Sequence, residues 1–194
     1  LGANGRIWKE RHVSSHHAYP NIIAQDADLK QSALLKLFPA EQLRPYQRFQ
    51  HLYMPLIYLL YTTFWVFVRD FKDLFLGDLG SKQLKSSGKH IALDIFFKLA
   101  YVAYVFLIPM LFSGLSVLQV LLGMLLMQMA ASITITLALV PAHVSAQSVF
   151  PVPNEQGTMP LSWSHHQLIT ATDFATKNRV MNWVMGGFNH HVVH

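Results

Sequence analysis

Residues 99–142 read LAYVAYVFLIPMLFSGLSVLQVLLGMLLMQMAASITITLALVPA and contain no Asp, Glu, Lys or Arg. As one continuous helix, these 44 residues would be about 66 Å long, roughly twice the ~30 Å thickness of a bilayer's hydrocarbon core. The sequence Phe-Ser-Gly-Leu-Ser at residues 112–116 interrupts the run where a tight turn is needed. The stretch therefore predicts two antiparallel transmembrane helices, residues 95–112 and 116–140, in an all-α integral membrane protein.

The overall composition fits a membrane protein and excludes several other classes. Of 194 residues, 52% are hydrophobic and only 13% are charged, which is about half the usual charged share. This balance excludes a disordered chain, a collagen-like repeat and a nucleic-acid-binding protein. The chain has no cysteine, which excludes disulfides, iron–sulfur clusters, cysteine-based zinc sites and thiol catalysis. Because it begins at Leu1 and stops inside a histidine-rich run, we expect a fragment of a longer protein.

A third apolar run, residues 52–68, is free of charge but only 17 residues long and rich in Tyr, Phe and Trp. Such an aromatic content is typical of the membrane–water interface, so we expect an interfacial helix here. Six Lys and Arg residues lie between positions 69 and 98, whereas the turn at 112–116 has none. The positive-inside rule then places residues 69–98 in the cytoplasm, and with them every histidine group if residues 52–68 do not cross.

Eleven histidines, most of them in tight groups, are the unusual feature of the composition. One group lies at residues 12–17, and on an α-helix its first two members, four residues apart, share a face. A second group lies at residues 190–194, and a single histidine follows the second predicted span. Neutral imidazole is a ligand that zinc, copper and iron all accept, and no cysteine competes with it. The candidate metal ligands are His12, His16, His17, His143, His191 and His194.

Three stretches resemble the membrane fatty acid desaturase family. The sequence His-Val-Ser-Ser-His-His at residues 12–17 is similar to that family's second histidine box, and Ala142-His143-Val144 resembles the end of its last membrane span. Residues 186–194 resemble the approach to its third box, and the closest likeness is to the linoleoyl-CoA or Δ6-type acyl-lipid branch. The chain shows no counterpart of the first box, and the last histidine of the third would fall one residue beyond His194.

The resemblance implies a specific chemistry. It implies an oxidoreductase that uses O2 and two non-haem iron ions held by histidines to introduce a cis double bond into a long acyl chain. The substrate would be an acyl-CoA or an acyl-lipid, and the electrons would come from cytochrome b5 or a ferredoxin. An acidic donor could dock on the basic residues 69–98. Because the ligand set is incomplete, we expect the fragment alone to be inactive.

The resemblance also implies one desaturase domain in four parts. Residues 1–51 would form a cytosolic region with the second box, 52–68 the interfacial helix, 95–140 the spans and 141–194 a cytosolic region with the third box. The two cytosolic regions would build a histidine-bearing helical cap on the cytoplasmic face of a bacterial inner membrane or the endoplasmic reticulum. No catalytic side chain beyond the metal ligands and no organic cofactor is expected.

Ligating imidazoles need hydrogen-bond partners for their second ring nitrogen. Asp and Asn side chains near the histidine groups are the candidates: Asn21, Asp26, Asp28, Asp173 and Asn189. Two isolated histidines, His51 and His90, are expected on the surface. His165 and His166 are left open between a ligand, a support for a ligand and a plain loop.

Two other functions stay open on the sequence. Related di-iron enzymes that hydroxylate or epoxidise an acyl chain, or that introduce a ketone into a carotenoid, share histidine boxes. A membrane zinc transporter or sensor belongs to a different class and would need ionisable or metal-binding residues inside its spans. Residues 95–140 offer Lys98 at one edge, with Gln119, Gln128 and a few hydroxyl groups within.

Overall fold

The computed structural model describes residues 2–29 and 33–193, which fold into helices joined by loops. These ranges contain no β-strand; a single antiparallel bridge joins Asp78 and Gln83. The helices are α1 (Gly5–Arg11), α2 (Pro45–Leu59), α3 (Tyr61–Leu76), α4 (Gly88–Phe112), α5 (Val117–His143), α6 (Trp163–Thr170) and α7 (Arg179–Met185), followed by a 3-10 turn (His191–Val193). The prediction of an all-α protein is confirmed.

The helices α4 and α5, of 25 and 27 residues, are each long and apolar enough to cross a membrane. Ser87 caps α4 by accepting a hydrogen bond from the His90 amide (3.4 Å), so this helix begins earlier than the expected residue 95. Ser116 and Gln119 form a capping box at the start of α5. The prediction of two transmembrane helices joined by a short turn is confirmed.

The third apolar run is not one continuous helix. The helix axis bends by 65° between α2 and α3, because Leu60 leaves helical geometry (φ −101°, ψ 6°). Both ends of the pair contact the same N-terminal segment. Gln47 Nε2 in α2 donates to the Ala33 carbonyl (3.0 Å), and Ser15 Oγ donates to the carbonyl of Leu79, just after α3 (2.8 Å). The ring nitrogens of His16, before the pair, and His143, at the end of the second span, are 3.1 Å apart, so the chain between them crosses the membrane an even number of times. With two spans in α4 and α5, this favours a re-entrant pair, here called the hairpin, over a third span.

A strip of polar side chains on α5 holds this hairpin against the spans. Gln128, Ser132 and Thr136 are buried and lie four residues apart on one face of the helix. Thr62 Oγ1 in α3 donates to the Gln128 carbonyl (2.8 Å), and the Thr62 amide donates to Ser132 Oγ (2.9 Å). Gln128 Nε2 donates to the Tyr101 hydroxyl of α4 (2.5 Å). In an apolar layer, the contact with Ser132 satisfies the Thr62 amide, a backbone group that the bend leaves without a helical partner.

Buried ion pairs fasten the N-terminal segment to the membrane helices. Lys98 Nζ of α4 lies 2.5 Å from Asp70 Oδ2 of α3, and the same carboxylate accepts a hydrogen bond from the Asn4 amide (2.7 Å). Arg6 of α1 pairs with Asp94 of α4 at 2.7 Å. Because charged groups at this depth are stable only when they are paired, these contacts fix where α1 lies against the spans.

The basic residues between positions 69 and 98 do not form the open docking loop that the sequence suggested. α3 and α4 include the two ends of that interval, and Arg69 and Lys98 are buried. Lys72, Lys82, Lys85 and Lys89 are exposed. A partner protein can therefore contact these four lysines, but it cannot reach Arg69 or Lys98.

Replacing Ser132 with Ala should weaken the packing of the hairpin on α5. The change removes the acceptor of the Thr62 amide, and interhelical hydrogen bonds in membranes contribute about 1 kcal/mol. We expect a lower melting temperature in detergent micelles. Thr134→Val is the matched control, because Thr134 is exposed on the same helix and its hydroxyl donates within that helix, to the Ala130 carbonyl. Equal shifts for the two variants would contradict this role of Ser132.

Candidate metal centre

A π-helical turn continues α1 and carries the first histidine group. Residues His12–His16 form this turn, and the His17 amide donates to the His12 carbonyl (2.8 Å). Because this bond joins residues five apart, His16 and His17 lie on either side of His12. The ring centroids are 5.2 Å apart for His12–His16, 4.6 Å for His12–His17 and 5.6 Å for His16–His17. The α-helix expected from the sequence would turn His17 away, whereas the π-turn brings all three rings together.

His16 is buried and is oriented by Asp26. Its Nδ1 donates to the two carboxylate oxygens of Asp26, at 3.0 and 2.9 Å. The Asp26 carboxylate is fully buried and also accepts hydrogen bonds from the amides of Asn21, Asp28 and Leu29. Burial lowers the pKa of His16, but the hydrogen bond and the negative charge of Asp26 outweigh it, so the pKa of His16 is raised. The proton on Nδ1 is therefore fixed, and Nε2 is left for other contacts.

His12 has the same arrangement with Asp28. Its Nδ1 donates to Asp28 Oδ2 at 2.7 Å, and Arg11 Nε donates to the other oxygen of that carboxylate at 3.1 Å. Burial raises the pKa of Asp28, but the hydrogen bond from His12 and the positive charges around it hold that pKa well below its usual range. The Trp8 ring stacks on the His12 ring, with centroids 4.7 Å apart. The carboxylate and the indole together fix the orientation of the imidazole.

His143, the last residue of α5, meets His16 and His191 in a row of buried imidazole rings. Its Nε2 lies 3.1 Å from His16 Nε2 and 2.8 Å from His191 Nε2. Its Nδ1 lies 3.3 Å from the Thr170 carbonyl. Because a carbonyl oxygen can only accept, Nδ1 carries the proton, and Nε2 of neutral His143 is an unprotonated nitrogen. This nitrogen faces two other ring nitrogens.

Two side chains fix the backbone around His191. The Asn189 amide is buried, and its Nδ2 donates to the Phe174 carbonyl (3.2 Å), while the Phe174 amide donates to the Asn189 carbonyl (2.9 Å). Asp173 Oδ1 accepts a hydrogen bond from the Val192 amide (2.8 Å). The sequence suggested these two residues as partners of an imidazole nitrogen, and the structure shows contacts with the backbone beside His191.

The row of Nε2 atoms fits a metal ion. Two unprotonated imidazole nitrogens about 3 Å apart repel each other unless a proton or a metal ion lies between them. Nitrogens bonded to one metal ion at about 2.1 Å, at right angles to each other, are also about 3 Å apart. A carboxylate or carbonyl partner on Nδ1 is the arrangement that ligating histidines usually have. The ligand atoms of His12, His16 and Asp28 also lie within 4.8 Å of one another. Such nitrogen and oxygen donors suit iron or zinc.

Asn21 joins the first histidine group to the segments around His143. Its Nδ2 donates to the carbonyls of His143 (3.2 Å), Val149 (2.9 Å) and Thr170 (3.4 Å). Its backbone is left-handed (φ 59°), a conformation that asparagine adopts more readily than most residues. The sequence suggested Asn21 as a partner of an imidazole nitrogen, and the structure shows its side chain bound to backbone carbonyls of His143 and two other residues instead.

Helix α6 supports the same region. His166 is buried, and its Nε2 donates to the Pro20 carbonyl (2.8 Å). Gln167 Nε2 donates to the His17 carbonyl (2.9 Å). Of the roles left open for His166, the structure therefore shows a support that fastens α6 to the chain just after the first histidine group.

Five of the six histidines proposed as ligands form one continuous group of rings, with neighbouring centroids 4.4 to 5.6 Å apart. This histidine cluster consists of His12, His16, His17, His143 and His191. The sixth, His194, lies outside the described residues. Four other histidines are exposed: His51, His90, His165 and His190.

An apolar cavity, here called the histidine cavity, lies between the cluster and the membrane helices. One side is lined by His12, His16, His143 and His191. The other side is lined by residues of α2, α3 and α5 that include Tyr58, Tyr61, Trp65, Ile135 and Leu139. The volume of this cavity is about 50 Å³, which leaves room for a short part of an apolar chain beside the histidines.

Comparison with known proteins agrees with this geometry. The sequence model described as "Fatty acid desaturase" matches residues 1–194. The chain belongs to the fatty acid desaturase family. This confirms the resemblance that the histidine boxes indicated.

Several curated relatives of the chain are named desaturases. The sn-1 linoleoyl-lipid 6-desaturase of Synechocystis is 29% identical over 196 residues, which cover 100% of this chain and 54% of the relative. The protein of the same name from Arthrospira platensis is 29% identical (100% and 52% covered), and the acyl-lipid (8-3)-desaturase of Physcomitrium patens is 27% identical (100% and 41% covered). The chain thus spans about half the length of the curated relatives it matches. No solved structure matches it.

Asn21→Gly and Asn21→Ala should both destabilise this member of the family, alanine more than glycine. Both changes remove hydrogen bonds to carbonyl groups beside the cluster, at a cost of about 1–3 kcal/mol. Alanine adds a strain of about 1–2 kcal/mol because it disfavours the left-handed backbone that glycine adopts freely. Thermal unfolding in detergent micelles measures both effects. A glycine variant as stable as the wild type would show that the side-chain contacts contribute nothing.

Proposed function

We propose that the whole protein is an O2-dependent desaturase that introduces a cis double bond into a long acyl chain, and that this chain supplies most of its metal ligands. The observation that carries the proposal is the row of His16, His143 and His191 at one end of an apolar cavity. Family membership and the names of the curated relatives support the reaction class. The activity is proposed for the whole protein because the chain spans about half of those relatives.

The proposed cofactor is a pair of non-haem iron ions. The proposed ligands are His12, His16, His17, His143, His191 and His194. Iron accepts imidazole nitrogen, and carboxylates already orient two of these rings. Bound there, the iron would supply the activation of O2 and the removal of hydrogen from an unreactive methylene, which no side chain can do alone.

The protein's own groups would set the protonation of the imidazoles and exclude water. Two carboxylates and one backbone carbonyl accept the Nδ1 protons of His12, His16 and His143, so that Nε2 of each neutral ring is available as a ligand. Trp8 covers His12, and apolar side chains of α3 and α5 line the rest of the histidine cavity. A dry cavity of this kind prevents side reactions of a reactive intermediate with water.

The proposed substrate is the acyl chain of an acyl-lipid or an acyl-CoA. The histidine cavity, of about 50 Å³, is lined by the histidines and by residues of α2, α3 and α5, so the part of an acyl chain that enters it would lie beside the histidines. Its walls include Tyr58, Tyr61 and Leu139, which are rigid or branched side chains. Such walls would limit which methylene groups can lie next to the metal ions.

We place the cluster on the cytoplasmic face of a bacterial inner membrane or the endoplasmic reticulum. The hairpin returns to the side from which it starts, so the two histidine groups can meet there. Three exposed lysines between α3 and α4, or at the start of α4, favour the cytoplasm by the positive-inside rule: Lys82, Lys85 and Lys89. An acidic electron donor, cytochrome b5 or a ferredoxin, would dock on these lysines.

Expression of the full-length protein in a host without polyunsaturated fatty acids tests the function. Gas chromatography–mass spectrometry should show a new double bond, and His16→Ala should abolish it while membrane insertion is unchanged. His90→Ala is the matched control and should retain the product, because His90 is exposed and lies outside the cluster. A hydroxylated or epoxidised product would support the metal site but show that the reaction is not desaturation. No new lipid, with the donor supplied and the protein in the membrane, would contradict the proposal and favour a zinc-binding function.

Asp26→Asn should lower the affinity for iron about 10- to 100-fold. The substitution keeps the size of the side chain but removes the negative charge that orients His16. Iron per protein, measured by mass spectrometry after equilibration with a chelator, gives the readout. Glu10→Gln is the matched control, because Glu10 is a carboxylate that pairs with Lys82 at 2.5 Å. Equal iron retention in the two variants would contradict the role of Asp26.

A further inference from the structure

Arg69 differs from the other buried basic residues of the described chain. Arg11 pairs with Asp73 and Lys98 pairs with Asp70. In contrast, Arg69 makes one hydrogen bond within residues 2–29 and 33–193, from Nη1 to the Tyr61 hydroxyl (3.0 Å). Its Nε is buried without a hydrogen-bond partner, although only 6% of the residue is exposed.

The guanidinium of Arg69 is held in place by aromatic rings. Its central carbon lies 4.3 Å from the centroid of the Trp65 ring and 5.3 Å from that of the Tyr61 ring. Contacts of this kind stabilise the positive charge and fix the plane of the group, but they do not satisfy its N–H donors. Arg69 is therefore a positioned cation with hydrogen-bonding capacity left over.

Arg69 lies where two cavities meet. It lines the histidine cavity together with Tyr61 and Trp65. It also lines a second cavity of about 870 Å³, here called the outer cavity, whose walls combine apolar side chains such as Phe38 with charged ones such as Arg44 and Lys72. The charged residues that line the histidine cavity are Arg69 and Asp28, whereas the outer cavity carries several charges of both signs. A molecule that extends from one cavity to the other must pass the guanidinium.

We propose that Arg69 binds the carbonyl oxygen of the acyl substrate and thereby sets the position of the double bond. The inference rests on the proposed function. The carbonyl of an ester or thioester is the first polar atom at the end of an acyl chain, and it only accepts hydrogen bonds. With the methylene groups next to the carbonyl in the histidine cavity of about 50 Å³ and the polar end in the outer cavity, this oxygen lies at the boundary, where Arg69 offers unused donors. A buried donor without a partner is costly, so a carbonyl that satisfies it binds with an advantage.

An anchor at the carbonyl has a specific consequence. Arg69 and four histidines of the cluster line the same small cavity, so the size of this cavity limits the number of carbons between the carbonyl and the reacting methylene. Small displacements of a reacting group cause large losses of rate, so one methylene is favoured over its neighbours. The double bond should therefore keep its distance from the carbonyl when the chain is lengthened at its far end.

Arg69→Gln in the full-length protein tests this role. We expect KM for the acyl substrate to rise about tenfold to a hundredfold and the single product to become a mixture of double-bond positions. Arg69→Lys keeps the positive charge, so a larger fraction of its product should have the double bond at the wild-type position. Arg6→Gln is the matched control, since Arg6 also pairs α1 with a membrane helix but lines neither cavity. It should change the yield of folded protein and leave the product position unchanged, and iron per protein is measured in every variant.

A second measurement uses the wild-type protein, so that it does not depend on the folding of a variant. Vesicles of phospholipid with ester-linked chains are compared with vesicles of ether-linked alkyl lipid, which lacks the carbonyl. The ether lipid should be desaturated at least about tenfold less and at scattered positions. Acyl-CoA is then added to protein in vesicles of the ether lipid. Desaturation of the acyl-CoA at a single position would show that a thioester carbonyl can replace the ester carbonyl.

The outcomes separate this inference from the proposed function. Wild-type protein that makes no unsaturated product from either ester or thioester contradicts the proposed function itself. Wild-type activity combined with an unchanged KM and a single unchanged position in Arg69→Gln overturns the role of Arg69. If wild-type protein desaturates the ether lipid and the ester lipid at the same rate and at the same position, this result also overturns the role of Arg69, whatever the Arg69→Gln variant shows.

Discussion

The contact between His16 and His143 is the constraint on which the rest of the structure depends. Their Nε2 atoms are 3.1 Å apart, although the residues are separated by 127 positions. The chain between them must therefore leave this point, enter the membrane region and return to it. A hairpin that starts and ends on one side, followed by an even number of spans, satisfies this requirement, whereas three crossings would place the two imidazoles on opposite faces.

The hairpin exists because its broken backbone finds polar partners inside an apolar layer. An unsatisfied amide in hydrocarbon costs several kcal/mol, so the bend between α2 and α3 needs an acceptor from a neighbouring helix. Ser132 supplies it to Thr62, and the next buried polar residue on that face of α5 is Thr136. The same face continues to His143, seven residues further on and about two turns along the helix. One helix face thus holds the hairpin and places a histidine in the cluster.

Sequence patterns predicted the spans and the histidine groups because both signals are local. A charge-free run of 44 residues can be recognised without knowing its neighbours, and so can three histidines within six positions. The features that the sequence did not predict depend on partners far along the chain. The bend at Leu60 needs Ser132, and the burial of Lys98 needs Asp70. The support for the His143 ring could not be predicted at all, because it is a backbone carbonyl, a group that every residue carries.

Two of the three π-helical segments of the described residues occur where the proposed chemistry is located, and the third, Ala103–Leu107, lies within α4. The segments His12–His16 and Trp65–Arg69 are both π-turns, a form that is rare and frequently marks functional sites. The first turn places His17 beside the other two histidines of its group. The second includes both the Trp65 indole and the Arg69 guanidinium stacked on it, and both line the histidine cavity. A regular α-helix at residues 12–16 would turn His17 away from the other two rings, so the histidine cluster depends on this departure of the backbone from α-helical geometry.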